Sequence, residues 1–81
     1  MIDNTLLNRI YSNAWIMGGK PVIRGTRLTV QYILKLLAQG QSFGEIKKEY
    51  DGLSDEDISA CIYYASEIME NTEFIPLQEA M

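Results

Sequence analysis

The spacing of apolar residues changes character near Thr29. Ahead of it they come in short runs, Arg9-Ile10-Tyr11 and Pro21-Val22-Ile23, punctuated by Gly18-Gly19 and Gly25. Short runs bounded by glycine predict strands and turns, because glycine enters the positive φ that turns often require. Pro21 has no amide hydrogen, which places it at a strand start or on an edge. Trp15, Ile16 and Met17 form a large apolar group on a segment too short to hide it. They are expected to pack on the helices or on a second subunit.

Beyond Thr29 the period becomes helical. Val30, Ile33, Leu34 and Leu37 recur at i, i+3, i+4 and i+7, with Thr29 as N-cap and Gly40 as the stop. Ser42-Phe43-Gly44-Glu45 has the capping-box spacing, in which Ser and Glu side chains satisfy free amides reciprocally. It opens a short helix with Phe43, Ile46 and Tyr50 inward and Lys47 and Lys48 outward. Asp51-Gly52-Leu53 breaks this helix. Ser54 then starts a last one, with Asp55, Glu56 and Asp57 placed well against its N-terminal dipole. Ile58, Cys61, Ile62, Ala65, Ile68 and Met69 continue its stripe, and Pro76 bars extension. The predicted fold is mostly α with short N-terminal β. One domain holds a β/turn arm (1–28), three helices of helix-turn-helix outline (29–70), and a C-terminal tail (71–81).

Composition adds two constraints. The 81 residues allow one domain with a modest core, for which oligomerisation is a common remedy. No apolar run is long enough for a transmembrane helix, and the N-terminus lacks the pattern of a signal peptide. A single cysteine fits a reducing compartment, so the cytoplasm is the expected location. The net charge of −4 conceals a division. All seven basic residues precede position 49, where only Asp3 and Glu45 oppose them, whereas the remainder carries nine acids and no base. Such a split suggests a basic face for an anionic partner and an acidic face for another, unless both are merely solvated.

Catalytic chemistry finds little support. There is no histidine, which removes the commonest general base and metal ligand. Cys61 falls on a buried stripe and reads as an inert core residue. Asp55, Glu56 and Asp57 fan around a helix axis rather than converge on a metal. Gly18-Gly19-Lys20 lacks the leading glycine and the Ser or Thr of a phosphate loop. No enzyme, cofactor, metal or small-molecule substrate is expected.

The run Gly18-Gly19-Lys20-Pro21-Val22-Ile23-Arg24-Gly25-Thr26-Arg27-Leu28-Thr29-Val30 resembles the signature of the bacterial family catalogued as domain of unknown function 433. Leu37-Ala38-Gln39-Gly40, Glu45-Ile46, Leu53-Ser54 and Tyr64-Ala65 extend the resemblance over roughly residues 9–68. Members of that family resemble winged-helix-like or homeodomain-like helix-turn-helix proteins, and some are VapB-type antitoxins encoded beside a PIN-like ribonuclease toxin. The resemblance thus implies a homodimeric, DNA-binding antitoxin that neutralises such a toxin and represses its own operon. The family usually has Asp-Pro ahead of the double glycine, where this chain has Ser12-Asn13-Ala14-Trp15.

Candidate nucleic-acid contacts are Lys20, Arg24, Thr26, Arg27, Lys47 and Lys48. Arginine suits phosphate and guanine, and threonine can donate to phosphate. The competing reading for Thr26 and Arg27 is a tight turn whose arginine ties down backbone carbonyls or a carboxylate such as Asp57. Lys47 and Lys48 lie on the element that crosses the phosphate backbone in a helix-turn-helix, or on an ordinary solvated face. The acids at the start of the last helix oppose phosphate, so the basic N-terminal part is expected to do most of any DNA binding. Phe74, Ile75 and Leu77 are the candidate partner-binding residues, in an acidic and apolar tail suited to a basic toxin. The alternative to the antitoxin is a protein-interaction module of the same shape without DNA binding.

Overall fold

The computed structural model describes residues 4–72. The chain opens with a 3-10 segment, Asn4–Arg9, where the sequence suggested only strands and turns. Six residues are too few for a helical period to declare itself, and Leu6 packing on the core holds the segment in place. The two apolar runs become β1 (Ile10–Tyr11) and β2 (Val22–Ile23). They pair antiparallel, with Ile10 opposite Ile23 and Tyr11 opposite Val22. Three helices follow: α1 (Val30–Ala38), α2 (Phe43–Glu49) and α3 (Asp55–Glu70). The architecture is mostly helical with a short N-terminal β-pair, and short helix, glycine turn and longer helix follow in the order expected.

Helix ends are set by the side chains the sequence puts there. Thr29 Oγ1 accepts from the Tyr32 amide at 3.0 Å and caps α1. At its other end the Gly40 amide bonds the Leu37 carbonyl (3.0 Å) and the Gln41 amide bonds that of Leu36 (3.1 Å). That is the Schellman pattern, and it needs the positive φ that Gly40 adopts at 96°. Ser42 with Glu45 closes one capping box, and Ser54 with Asp57 closes another. Each cap contributes about 1 kcal/mol.

One cluster of buried side chains, including Ile10, Ile23, Ile33, Leu36, Ile46, Ile58 and Cys61, ties the β-pair to all three helices. Two details depart from the periodicity. On α1, Leu36 is buried while Leu34 and Leu37 flank the cluster half-buried. On α3, burial ends at Cys61, and Ile62, Ile68 and Met69 stand 43%, 49% and 55% exposed. A helix of 16 residues is about 24 Å long, and its last two turns outrun the core. Its first half is covered by the 3-10 segment and β1 as well as by α1 and α2, so Ala60 is buried too. The expectation that Trp15 packs on the helices is overturned: its side chain is 90% exposed. Among the described residues no helix is long and apolar enough to cross a membrane.

Candidate nucleic-acid interface

The residues after β2 fold back on themselves. The Thr26 amide donates to the Ile23 carbonyl at 2.9 Å, closing a four-residue turn with Gly25 third at φ 84°. A positive φ at that position is the type II pattern and favours glycine. Thr26 Oγ1 donates to the Ile23 carbonyl (2.8 Å) and accepts from the Leu28 amide (2.9 Å). Its hydroxyl therefore serves the turn itself. The Pro21 carbonyl accepts from the Val30 amide at 3.0 Å, which locks the turn to the first residue of α1.

This turn holds Arg24 and Arg27 in the open. The Arg24 Nε donates to the Asn8 carbonyl at 2.7 Å, and its guanidinium carbon lies 4.9 Å from the Tyr11 ring centroid. The contact is a cation–π pair that steadies the guanidinium and leaves its remaining donors outward. Tyr11, Ile16, Arg24, Gly25, Thr26 and Arg27 line a concavity of about 560 Å³. Among the described residues no carboxylate pairs with either arginine. A second chain of contacts runs off Tyr11. Asn13 Nδ2 donates to the Tyr11 hydroxyl at 3.0 Å, and Asn13 Oδ1 accepts from the Trp15 amide at 2.8 Å. The exposed Trp15 is thereby tied through its backbone to the Tyr11 ring that lies under Arg24.

The other basic candidates lie elsewhere. Lys20 sits with Lys35 on the edge of a different concavity, an apolar groove of about 500 Å³ between α1 and α3. Leu34, Ala38, Tyr64, Ala65, Ile68 and Met69 supply most of its wall. On α2, Lys47 Nζ is 2.8 Å from Asp55, whereas Lys48 is exposed without an ion pair among the described residues. The arginine that holds Asp57 is Arg9, at 3.0 Å, and the one that holds a backbone carbonyl through its side chain is Arg24. So the structure brings Arg24, Thr26 and Arg27 together and separates them from Lys20, Lys47 and Lys48. Phe74, Ile75 and Leu77 lie outside the described residues.

Tyr11, Asn13, Trp15 and Ile16 belong to this surface and escaped the sequence reading. Only the unburied bulk of Trp15 and Ile16 hinted at them. In the interior, burial pushes the Cys61 thiol up to about 12, with Asp57 adding to the effect, so the group is a neutral packing residue. The Tyr32–Tyr50 hydroxyl pair, with rings edge to face at 6.1 Å, raises Tyr50 to about 12 chiefly through that hydrogen bond.

The family described as "Protein of unknown function (DUF433)" matches residues 10–65, a span that contains the turn, both strands and most of α3. Nothing among curated proteins matches the chain. A DUF433 member protein from Anabaena variabilis ATCC 29413, whose crystal structure was determined at 2.00 Å resolution, is similar to it at 33% identity and a TM-score of 0.73. The match covers 83% of this chain and 66% of that one, so this chain spans just under two thirds of that protein's length. Sequence and backbone agree over the same core, and the chain belongs to the DUF433 family.

Proposed function

We propose that this chain is an antitoxin-like nucleic-acid-binding module, acting as a homodimer, whose arm contacts operator DNA. Its acidic helical side meets a basic, PIN-like RNase toxin. The observation that carries the reading is the pair Arg24 and Arg27, exposed beside one concavity and, among the described residues, without a carboxylate partner. Unopposed guanidiniums on a rigid turn are suited to phosphate, because the protein groups that would compete for them are absent from the turn. The start of α3, where a helix-turn-helix normally reads bases, is poorly suited. Asp55 and Glu56 are exposed there, and phosphates would meet carboxylates first. Two copies of the arm in a dimer would add their fields.

A specific observation favours a second reading, that of a protein-interaction module. The α1–α3 groove is almost wholly apolar, and Ile68 and Met69 on its wall are half-exposed. Both readings are tested by recovering the tagged protein from its native cells and identifying bound protein and nucleic acid. A stoichiometric small RNase-like protein together with DNA from upstream of the chain's own reading frame is the expected result. A protein partner without nucleic acid selects the second reading. Recovery of neither by the folded protein discards the antitoxin.

A further inference from the structure

Trp15 is the chain's single tryptophan and, among the described residues, the most exposed large apolar one. Leaving an indole in water is unfavourable, and this one is not left loose. Asn13 holds the Trp15 amide with one end of its side chain and the Tyr11 hydroxyl with the other, while Tyr11 lies under Arg24. Ile16, the next residue, lines the same concavity as Arg24 and Arg27. Trp15 is thus tied through Asn13 and Tyr11 to Arg24, and its neighbour Ile16 shares with Arg24 and Arg27 a recess of about 560 Å³ in which, among the described residues, neither guanidinium has a carboxylate partner. The recess lies within the ordinary range of ligand sites, about 300–1,000 Å³.

We infer that this surface takes an unpaired nucleotide of a single strand, its base stacked on Trp15 and its phosphate held by Arg27 beside Arg24. The inference rests on the reading of the arm as a nucleic-acid surface and adds to the duplex contacts proposed there a single-stranded form that alone engages Trp15. A duplex keeps its base faces inside the stack and offers only edges in its grooves, so an exposed indole has nothing to stack on there. Single strands present base faces, and proteins that bind them combine aromatic platforms with a positive track for the backbone. Arg24 contributes charge while its Nε stays on Asn8, which leaves the exposed Arg27 as the phosphate clamp.

The test uses the chain's own fluorophore. The full-length protein is titrated with a mixed-sequence single strand and with the same sequence as a duplex, following Trp15 emission and, separately, the anisotropy of the labelled oligonucleotide. The single strand is expected to quench and shift Trp15 emission. Trp15→Ala is expected to weaken single-strand binding by about 5- to 150-fold, the range for loss of one stacked base. Arg27→Ala is expected to lower the slope of log affinity against log salt by about 0.7. Trp15 is solvent-exposed, so the variant should retain its helical circular dichroism. Duplex binding with unchanged Trp15 emission and no single-strand binding overturns this inference and leaves the operator reading standing. Binding of neither form overturns both.

Discussion

The arm turn at Ile23–Thr26 and the corner between α2 and α3 are built alike and behave differently. Each is a glycine turn with two basic residues close in sequence, Arg24 and Arg27 about Gly25 and Lys47 and Lys48 ahead of Gly52. At the corner two of the charges are answered, Lys47 by Asp55 and Arg9, reaching across from the 3-10 segment, by Asp57, while Lys48 stays exposed without an ion pair among the described residues. At the arm Arg24 has an aromatic ring and a backbone carbonyl beside it, and among the described residues neither Arg24 nor Arg27 has a carboxylate partner. The corner is thus a structural joint and the arm an unsatisfied surface. The excess of positive charge before position 49 is partly cancelled in space by acids from the other half of the chain, and what survives cancellation is concentrated elsewhere.

The comparison is sharpened first by Asp57→Ala. Asp57 closes the capping box on the Ser54 amide at 3.0 Å and holds Arg9 at 3.0 Å. Losing both is expected to destabilise the fold by about 2 kcal/mol in urea denaturation, while the arm's affinity for nucleic acid is unchanged in the folded protein. A neutral effect on stability would break the view of the corner as a joint. Gly25→Ala comes next. Its φ of 84° disfavours any Cβ although no neighbouring atom would collide with one, so the cost is conformational, about 1 kcal/mol. Thermal melting measures that cost, and binding should fall with it because the turn positions both arginines.

Cys61 tests the corner's interior. Its folded pKa is raised from 9.0 to about 12, so the thiol stays protonated when the unfolded chain would ionise. Below about 9 the two states hold the same proton and the group has no effect. Above it the unfolded state is the one that loses the proton, so stability falls as pH rises from about 9 toward 12. The difference in melting temperature between the native chain and Cys61→Ala should follow that window, and a flat difference would show the thiol to be accessible. The smallest effect on stability belongs to Arg27→Ala, expected within about 0.5 kcal/mol of the native chain because the side chain is exposed and holds nothing in the fold.

Much of this architecture was legible in the residues. Thr29, Ser42 and Ser54 announced three helix starts through their short side-chain oxygens, and Ile10-Tyr11 and Val22-Ile23 announced the strands. The 3-10 segment was not legible, since six residues carry no readable period. Nor was the end of burial on α3: a stripe says which way a helix faces but not how far its support extends, so Ile68 and Met69 looked like core. At the site, charge type and turn position brought Arg24 and Arg27 into view. Local pairing is what divided them from Lys47, and pairing depends on tertiary contacts such as that of Arg9 with Asp57 across the fold. Tyr11 and Asn13 were silent because their roles lie in hydrogen bonds and ring stacking rather than in charge.

The central claim is that the arm, and not the α2–α3 corner, supplies the positive charge for nucleic acid. Its most direct test is the salt dependence of binding to duplex DNA from upstream of the chain's own reading frame, compared between Arg27→Ala and Lys47→Ala. The account predicts that Arg27→Ala lowers the slope of log affinity against log salt by about 0.9, one phosphate contact, while Lys47→Ala leaves it nearly unchanged. An equal or larger fall for Lys47→Ala, with Arg27→Ala indistinguishable from the native chain, would move the interface to the corner and contradict the account.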